Sequence, residues 1–223
     1  MTVAIPLSNP CDRTQEELIF NQIAEDIIKQ GYSVSPYALP PELANSLFIH
    51  QQALADEKFK NAGIGRGDEF IKKKSIRTDE ICWINGESRA GKEWLDWAAN
   101  LKVFLNRRLF LGLFSFESHF AHYGPGDYYK RHYDAFRGET NRILSVVVYF
   151  NKEWSNTDGG ELVLYKNNQD KQGIKILPHW ATVVTFLSEE FPHEVLPATR
   201  DRYSIAGWFR VNTSTTAKVD PPL

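Results

Sequence analysis

His132-Tyr133-Asp134, answered by His193 59 positions after Asp134 and by Arg202 nine positions further on, constrains this chain more than any other feature. Two imidazoles and one carboxylate can occupy one face of an octahedral ion and leave the other positions open, the arrangement that suits a redox-active Fe(II). Such a set works only if the fold gathers it. Residues two apart on a strand point to the same side, so His132 and Asp134 can share an ion if their stretch is extended. The flanks agree: Tyr128-Tyr129 is strand-prone, and Gly124-Pro125-Gly126-Asp127 has turn chemistry.

His193 must come from a second strand. Residues 193–197, a turn over Ala198-Thr199-Arg200-Asp201 and the run Arg202 to Phe209 read as an antiparallel hairpin with a four-residue loop. That register pairs Pro197 with Arg202, Val195 with Ser204 and His193 with Ala206, and places Arg202 on the face of His193 at roughly 13 Å. A small dicarboxylate chelating the metal at one end would reach a guanidinium at the other, and a guanidinium donates to carboxylates in a bidentate fork. The spacing predicts a metal site with an anion clamp.

The surrounding text is helical first and stranded later, an α+β order. Thr14 and Glu17 form a capping-box signal, Ile19, Phe20, Ile23, Ile27 and Ile28 recur on one face, and Gly31 supplies a stop, which predicts a helix over 15–30. A short strand over 32–34 follows. Pro40-Pro41-Glu42 opens a second helix with Leu43, Leu47 and Leu54 inward, and a third spans about 92–109 with Trp94, Leu95, Ala98, Leu101, Phe104 and Leu105 on its apolar side. After Leu113 come short strands over 114–123, 143–151, 161–165, 174–177, 181–186 and 202–211, separated by Gly and Asp turns. Many short strands with such turns predict a double-sheet jelly roll, with the helices as struts packed on one sheet. We expect one domain over 1–223, with 1–112 as helical support and substrate loop and 113–212 as the jelly-roll core.

Charge and cysteine content exclude some alternatives. With 26 basic and 28 acidic residues in 223, nothing favours nucleic acid or an anionic membrane as partner. Met1 to Phe20 lacks a signal-peptide pattern and no apolar run spans a bilayer, so we expect a cytoplasmic protein. Cys11 and Cys82 fit neither a disulfide framework nor a metal pair and read as structural thiols. The alternating Gly63, Gly65 and Gly67 follow a helical pattern and precede a strand-like one, which is the wrong setting for a phosphate loop. A lid over Phe59 to Lys74 that covers the substrate fits them better.

The HxD, the distant His and the Arg nine later, in order, together with Ile76 to Ile84, Tyr123 to Asp134, Tyr149-Phe150-Asn151, Gly159-Gly160-Glu161-Leu162, His193-Glu194-Val195 and Trp208-Phe209, resemble the Fe(II)- and 2-oxoglutarate-dependent dioxygenases. The branch most similar is the prolyl 4-hydroxylases, which includes the hypoxia-type enzymes and their bacterial counterparts. The resemblance runs from about Phe70 to Asn212 and implies the double-stranded β-helix fold. It implies that His132, Asp134 and His193 bind iron, and that Arg202 and Tyr149 hold the distal carboxylate of 2-oxoglutarate in a pocket lined by Tyr123, Tyr129 and Trp208. It implies further that Arg77 and Asp79 lie near the substrate-binding loop with Arg142 as a partner, and that O2 is a co-substrate with ascorbate as reductant. The outcome implied is hydroxylation of a proline in a protein partner, with elongation factor Tu as the bacterial candidate, and release of succinate and CO2.

Other readings predict different sequences. A nucleic-acid dealkylase of this kind expects another arginine six positions after Arg202, where Trp208 stands. A hydroxylase of a free amino acid or other small molecule shares every motif and differs in the width of the site. A non-catalytic metal-binding jelly roll needs no anion clamp. Among the other histidines, His50 and His179 read as structural, His122 as distant from the metal, and His119, alternating with Ala121 and Tyr123, as a candidate pocket wall. Without the resemblance, Arg77 and Asp79 read as a solvent-facing ion pair, and Trp83, Trp94, Trp97 and Trp180 as packing.

Overall fold

A computed structural model describes residues 10–54, 59–61, 76–135 and 141–213. In chain order the elements are α1 (Pro10–Gln30), β1 (Tyr32–Ser35), α2 (Pro41–Ala53), β2 (Lys60–Asn61), β3 (Glu80–Trp83), α3 (Arg89–Leu109), β4 (Ser115–Tyr123), β5 (Tyr129–His132), β6 (Arg142–Tyr149), β7 (Leu162–Leu164), β8 (Ile174–Ile176), β9 (Val183–Leu187), β10 (His193–Val195) and β11 (Arg202–Arg210). They form two antiparallel sheets, a large one in the order β1-β9-β6-β11-β4-β3-β2 and a small one in the order β5-β10-β7-β8. This is the expected jelly roll in an α+β chain.

Alternation along the long strands gives the large sheet two unlike faces. One carries Phe116 and Phe120 of β4, Leu144, Val146 and Val148 of β6, and Ile205 and Phe209 of β11, and it packs in one core with Phe20 and Ile23 of α1, Leu43 and Leu47 of α2 and Trp94, Ala98 and Leu101 of α3. Trp94 stacks on Trp97 at 5.4 Å and donates its indole N–H to Ser118 Oγ at 3.0 Å, so the one polar atom it buries is satisfied. The other face turns Tyr123, Tyr149, Val184 and Phe186 toward Leu162, Leu164, Ile176 and Val195 of the small sheet. The helices therefore brace the outer face, and the cleft between the sheets is left for the site.

Helix ends follow local chemistry, with one correction. Ser88 caps α3 by accepting from the Gly91 N–H at 3.0 Å, and Pro41 occupies the first turn of α2, where its missing N–H costs nothing. Helix α1 begins at Pro10 rather than near 15, so Thr14 lies inside the helix and the capping-box signal does not mark its start.

The predicted hairpin between the segments of His193 and Arg202 does not form. Strand β10 pairs with β5 and β7 in the small sheet, whereas β11 pairs with β4 and β6 in the large one. The polar groups that such a hairpin would use are already committed: Leu196 N–H donates to Glu161 O, Gly160 N–H to Pro197 O and Thr199 N–H to Asp158 O. The chain thus runs beside residues 158–161 before crossing to the other sheet, and the 13 Å ruler along a shared face does not apply. Of the expected lid, only Phe59 to Asn61 are described, and the rest lies outside the described residues. Among the described residues, no helix is long and apolar enough to cross a membrane.

Candidate metal and 2-oxoglutarate site

His132 closes β5 and His193 opens β10, and the two are direct partners across the ladder. Asp134 is the exception to the sequence argument. The strand ends at His132 and Asp134 sits in a bend, so a turn rather than strand alternation brings its carboxylate in. His132 Nε2 lies 3.7 Å from Asp134 Oδ1 and His193 Nε2 3.6 Å from Asp134 Oδ2. One ligand atom from each of the three falls within 4.8 Å of the others, the spacing of a metal-holding group.

The surroundings prepare those atoms for an ion. His132 Nδ1 meets Lys130 O at 2.8 Å and His193 Nδ1 meets Phe191 O at 3.0 Å. A carbonyl only accepts, so each Nδ1 carries the proton and each Nε2 presents a lone pair. Tyr129 stacks on His132 at 3.5 Å and Phe186 meets His193 edge-on at 4.8 Å, which fixes both ring planes. Burial pushes His193 down to about 4 and keeps it neutral at physiological pH, with the Asp134 charge opposing. Burial alone would raise the Asp134 carboxyl. The charge of His193 and His132 when they are protonated, together with the Ser145 hydroxyl, reverses this and holds it ionised well below the usual carboxylate range.

Arg202 opens β11 on the inner face of the large sheet, where it is 1% exposed. Its guanidinium lies 5.0 Å from the ring centroids of both Tyr123 and Tyr149, donates Nε–H to Gly160 O at 2.8 Å and meets Ser204 Oγ at 3.3 Å. No carboxylate pairs with it among the described residues. A buried cation without a counter-ion is costly and invites an anion. The Tyr149 hydroxyl beside it is buried, its proton has no acceptor among the described residues, and burial, opposed by the Arg202 charge, raises its pKa to about 12, so it stays a donor. Gly160 adopts φ +70, and a Cβ there would stand 3.0 Å from Ala198 Cβ and 3.2 Å from both Arg202 Cδ and Trp154 Cζ2. Only glycine lets the backbone come this close beneath the guanidinium.

The remaining wall is more elaborate than the sequence suggested. Trp208 faces the same side as Arg202 along β11, and the Arg142 guanidinium stacks on it at 3.7 Å. Arg142 bonds Glu117 Oε1 at 3.0 and 2.7 Å, and Arg210 reaches Glu117 Oε2 at 3.4 Å. Arg77 and Asp79 form a two-point ion pair at 2.8 and 2.6 Å, with Arg77 over the Tyr129 ring at 4.2 Å. The pair is buried, not solvent-facing, because Arg77 bridges to Tyr129 at the edge of the small sheet and Asp79 is 1% exposed. His119 is buried between Trp83 and Trp208, its Nδ1 has no partner among the described residues, and burial first, then Arg77 and Arg142, push it down to about 3. His122 instead bonds Asp201 at 2.8 Å, away from the metal group.

Sequence reasoning missed Ser145, which donates to Asp134 Oδ2 at 2.7 Å, and Gly160 beneath Arg202. The first had a signal: Ser145 is the polar interruption in Leu144 to Val148, at the inward-facing parity of Tyr149.

The family model that matches residues 118–210 is that of the 2OG-Fe(II) oxygenase superfamily. A prolyl-4-hydroxylase structure from Pseudomonas putida shares 36% identity and a TM-score of 0.75, over 86% of this chain and 98% of that one. The chain belongs to this superfamily, and the relatives it resembles are prolyl hydroxylases. A Trichoplax adhaerens prolyl hydroxylase solved with a hypoxia-inducible-factor peptide fragment matches at 25% identity and TM-score 0.77, over 91% of this chain and 94% of that one. Human Egl nine homolog 1 is 30% identical over 202 residues, which are 86% of this chain and 47% of that protein. The chain thus spans about half the length of that relative.

Proposed function

We propose that this chain is an Fe(II)- and 2-oxoglutarate-dependent dioxygenase that hydroxylates a prolyl residue of a protein, converting 2-oxoglutarate and O2 to succinate and CO2. The observation that carries the reading is Arg202, a buried guanidinium with no acidic partner among the described residues, set beside an unpartnered Tyr149 hydroxyl. A carboxylate at this place would satisfy both. A metal-binding jelly roll without catalysis would have no reason to bury that charge.

In this reading His132, Asp134 and His193 hold Fe(II), which when bound supplies the redox chemistry coupling O2 to decarboxylation. Arg202 takes the distal carboxylate of 2-oxoglutarate in a fork and Tyr149 donates its hydroxyl proton to the same group. Tyr123, Tyr129 and Trp208 line the pocket and displace water, which strengthens both interactions. Arg142 over Trp208, and Arg77 over Tyr129 with Asp79 buried behind it, would supply the polar wall against which a peptide is oriented. The likeness to a bacterial prolyl-4-hydroxylase supports a prolyl substrate, and the motif resemblance read from the sequence offers elongation factor Tu as the candidate partner.

The test is to incubate the protein with Fe(II), 2-oxoglutarate, ascorbate and purified elongation factor Tu or cell lysate, and to map peptides by mass. The expected result is a gain of one oxygen on a proline that disappears with H132A. Succinate production stimulated only by free amino acids would favour the small-molecule reading. Failure of metal-loaded protein to bind 2-oxoglutarate would refute the enzyme reading.

A further inference from the structure

Asp134 has no strand ladder to hold it, since it lies in the bend after β5. Its carboxylate is steadied from the opposite sheet. Ser145 Oγ on β6 is 2.7 Å from Asp134 Oδ2, and Ser188 Oγ, just past the end of β9, is 2.9 Å from Ser145 Oγ. Both serines are buried, at 1% and 0% exposure. Ser188 is itself fixed by its N–H, which donates to Ile143 O at 3.0 Å.

The proton inventory sets the direction of the chain. A carboxylate only accepts and a hydroxyl has one proton to give, so Ser145 donates to Asp134 and must accept from Ser188. Among the described residues, Ser145 is the one hydroxyl donor to this carboxylate.

We propose that Ser188 and Ser145 form a positioning relay that engages Asp134 Oδ2, fixes the rotation of the carboxylate, and holds it to the metal through a single oxygen. This rests on the metal reading of His132, Asp134 and His193. An aspartate free to rotate could chelate through both oxygens and occupy a coordination position that the co-substrates need. Partners that orient a ligand in this way affect metal affinity by roughly 10- to 100-fold. A hydroxyl chain inside the protein also polarises along its length, so loss of Ser188 weakens the Ser145 donation without removing it.

The experiment is Mn(II) affinity, read from loss of the free-ion paramagnetic signal, in the wild type, S145A, S145T and S188A, with the Co(II) absorption spectrum as a report on coordination number. S145A is expected to bind Mn(II) about tenfold more weakly and to change the Co(II) spectrum. S145T, which keeps the hydroxyl, is expected to behave as wild type, and S188A to lose about threefold. S188A leaves Ser145 and Asp134 in place and keeps the test alive if S145A does not fold. Wild-type affinity and spectrum in both alanine variants would overturn the relay. So would S145T binding as weakly as S145A, since bulk rather than the hydroxyl would then matter. A wild type that binds no Mn(II) overturns the metal reading itself and the relay with it, whereas loss confined to 2-oxoglutarate binding with metal affinity intact in every serine variant overturns the relay alone.

Discussion

The two ends of the cleft meet burial of charge in opposite ways. At the metal end, Asp134 accepts from the Ser145 hydroxyl while the Nε2 lone pairs of His132 and His193 face its carboxylate at 3.7 and 3.6 Å, so the three ligand atoms are oriented toward a shared cation. At the other end, Arg202 and the Tyr149 hydroxyl sit among aromatic rings with backbone and serine oxygens but no counter-charge among the described residues. The first arrangement gathers three electron-pair donors and is completed by a cation. The second is incomplete, and its stored desolvation cost becomes binding free energy when an anion enters.

A crossed pair of variants breaks this comparison most strongly. H132A is expected to abolish measurable Mn(II) binding and to cut turnover by at least about 10³-fold, roughly 4 kcal/mol. R202A is expected to leave Mn(II) affinity intact and to weaken 2-oxoglutarate binding by about 10²-fold or more, in line with roughly 2–5 kcal/mol for truncating one side of a buried charge pair. Titration calorimetry of both ligands on both variants checks it, and equal loss of both ligands in R202A would erase the distinction. R202K is not a rescue, because an ammonium cannot reproduce the fork.

Dependence on pH should come from the wall that carries His119 and not from the anion end. His119, at about 3 against an ordinary 6.5, takes up a proton in the unfolded chain before the folded one as pH falls. Its contribution is therefore fully present above about 6.5 and is lost as pH drops toward 3. Denaturation of metal-free protein should show stability falling by roughly a few kcal/mol across that window, with a shallower fall in H119L. Arg202 does not deprotonate in the accessible range, so the anion end should show no such slope. The smallest effect expected is Y149F, with loss of 2-oxoglutarate affinity by about three- to tenfold, the size of one hydrogen bond, measured in the same titrations.

Legibility in the sequence divided along the same line. Alternation in Ser115 to Tyr123, Arg142 to Tyr149 and Arg202 to Arg210 gave the central strands within a residue or two of their observed ends, because each strand has one face toward helices and one toward the cleft. The metal set was readable because three ligand types at diagnostic spacing have few other uses. Pairing was not readable. A strand, turn and strand over 193–209 says nothing about which sheet each half joins, and here the bonds of Leu196, Pro197 and Thr199 to residues 158–161 keep β10 away from β11. The placement of Asp134 was inferred from an alternation the chain does not use at that point, and the burial of Arg77 and Asp79 depended on a bridge to Tyr129, distant in sequence.

Beneath Arg202 lies a residue with no side chain at all, and that sets a length standard. Because Gly160 offers its carbonyl to the guanidinium and has no room for a methyl group, the depth of the cation is gauged by main chain rather than by a side chain that could swing aside. If the slot takes the keto diacid proposed above, such a stop would make it a measuring device: one carbon more or fewer would leave a carboxylate crowded or out of reach, and selectivity among metabolites would be written into a glycine rather than a side chain.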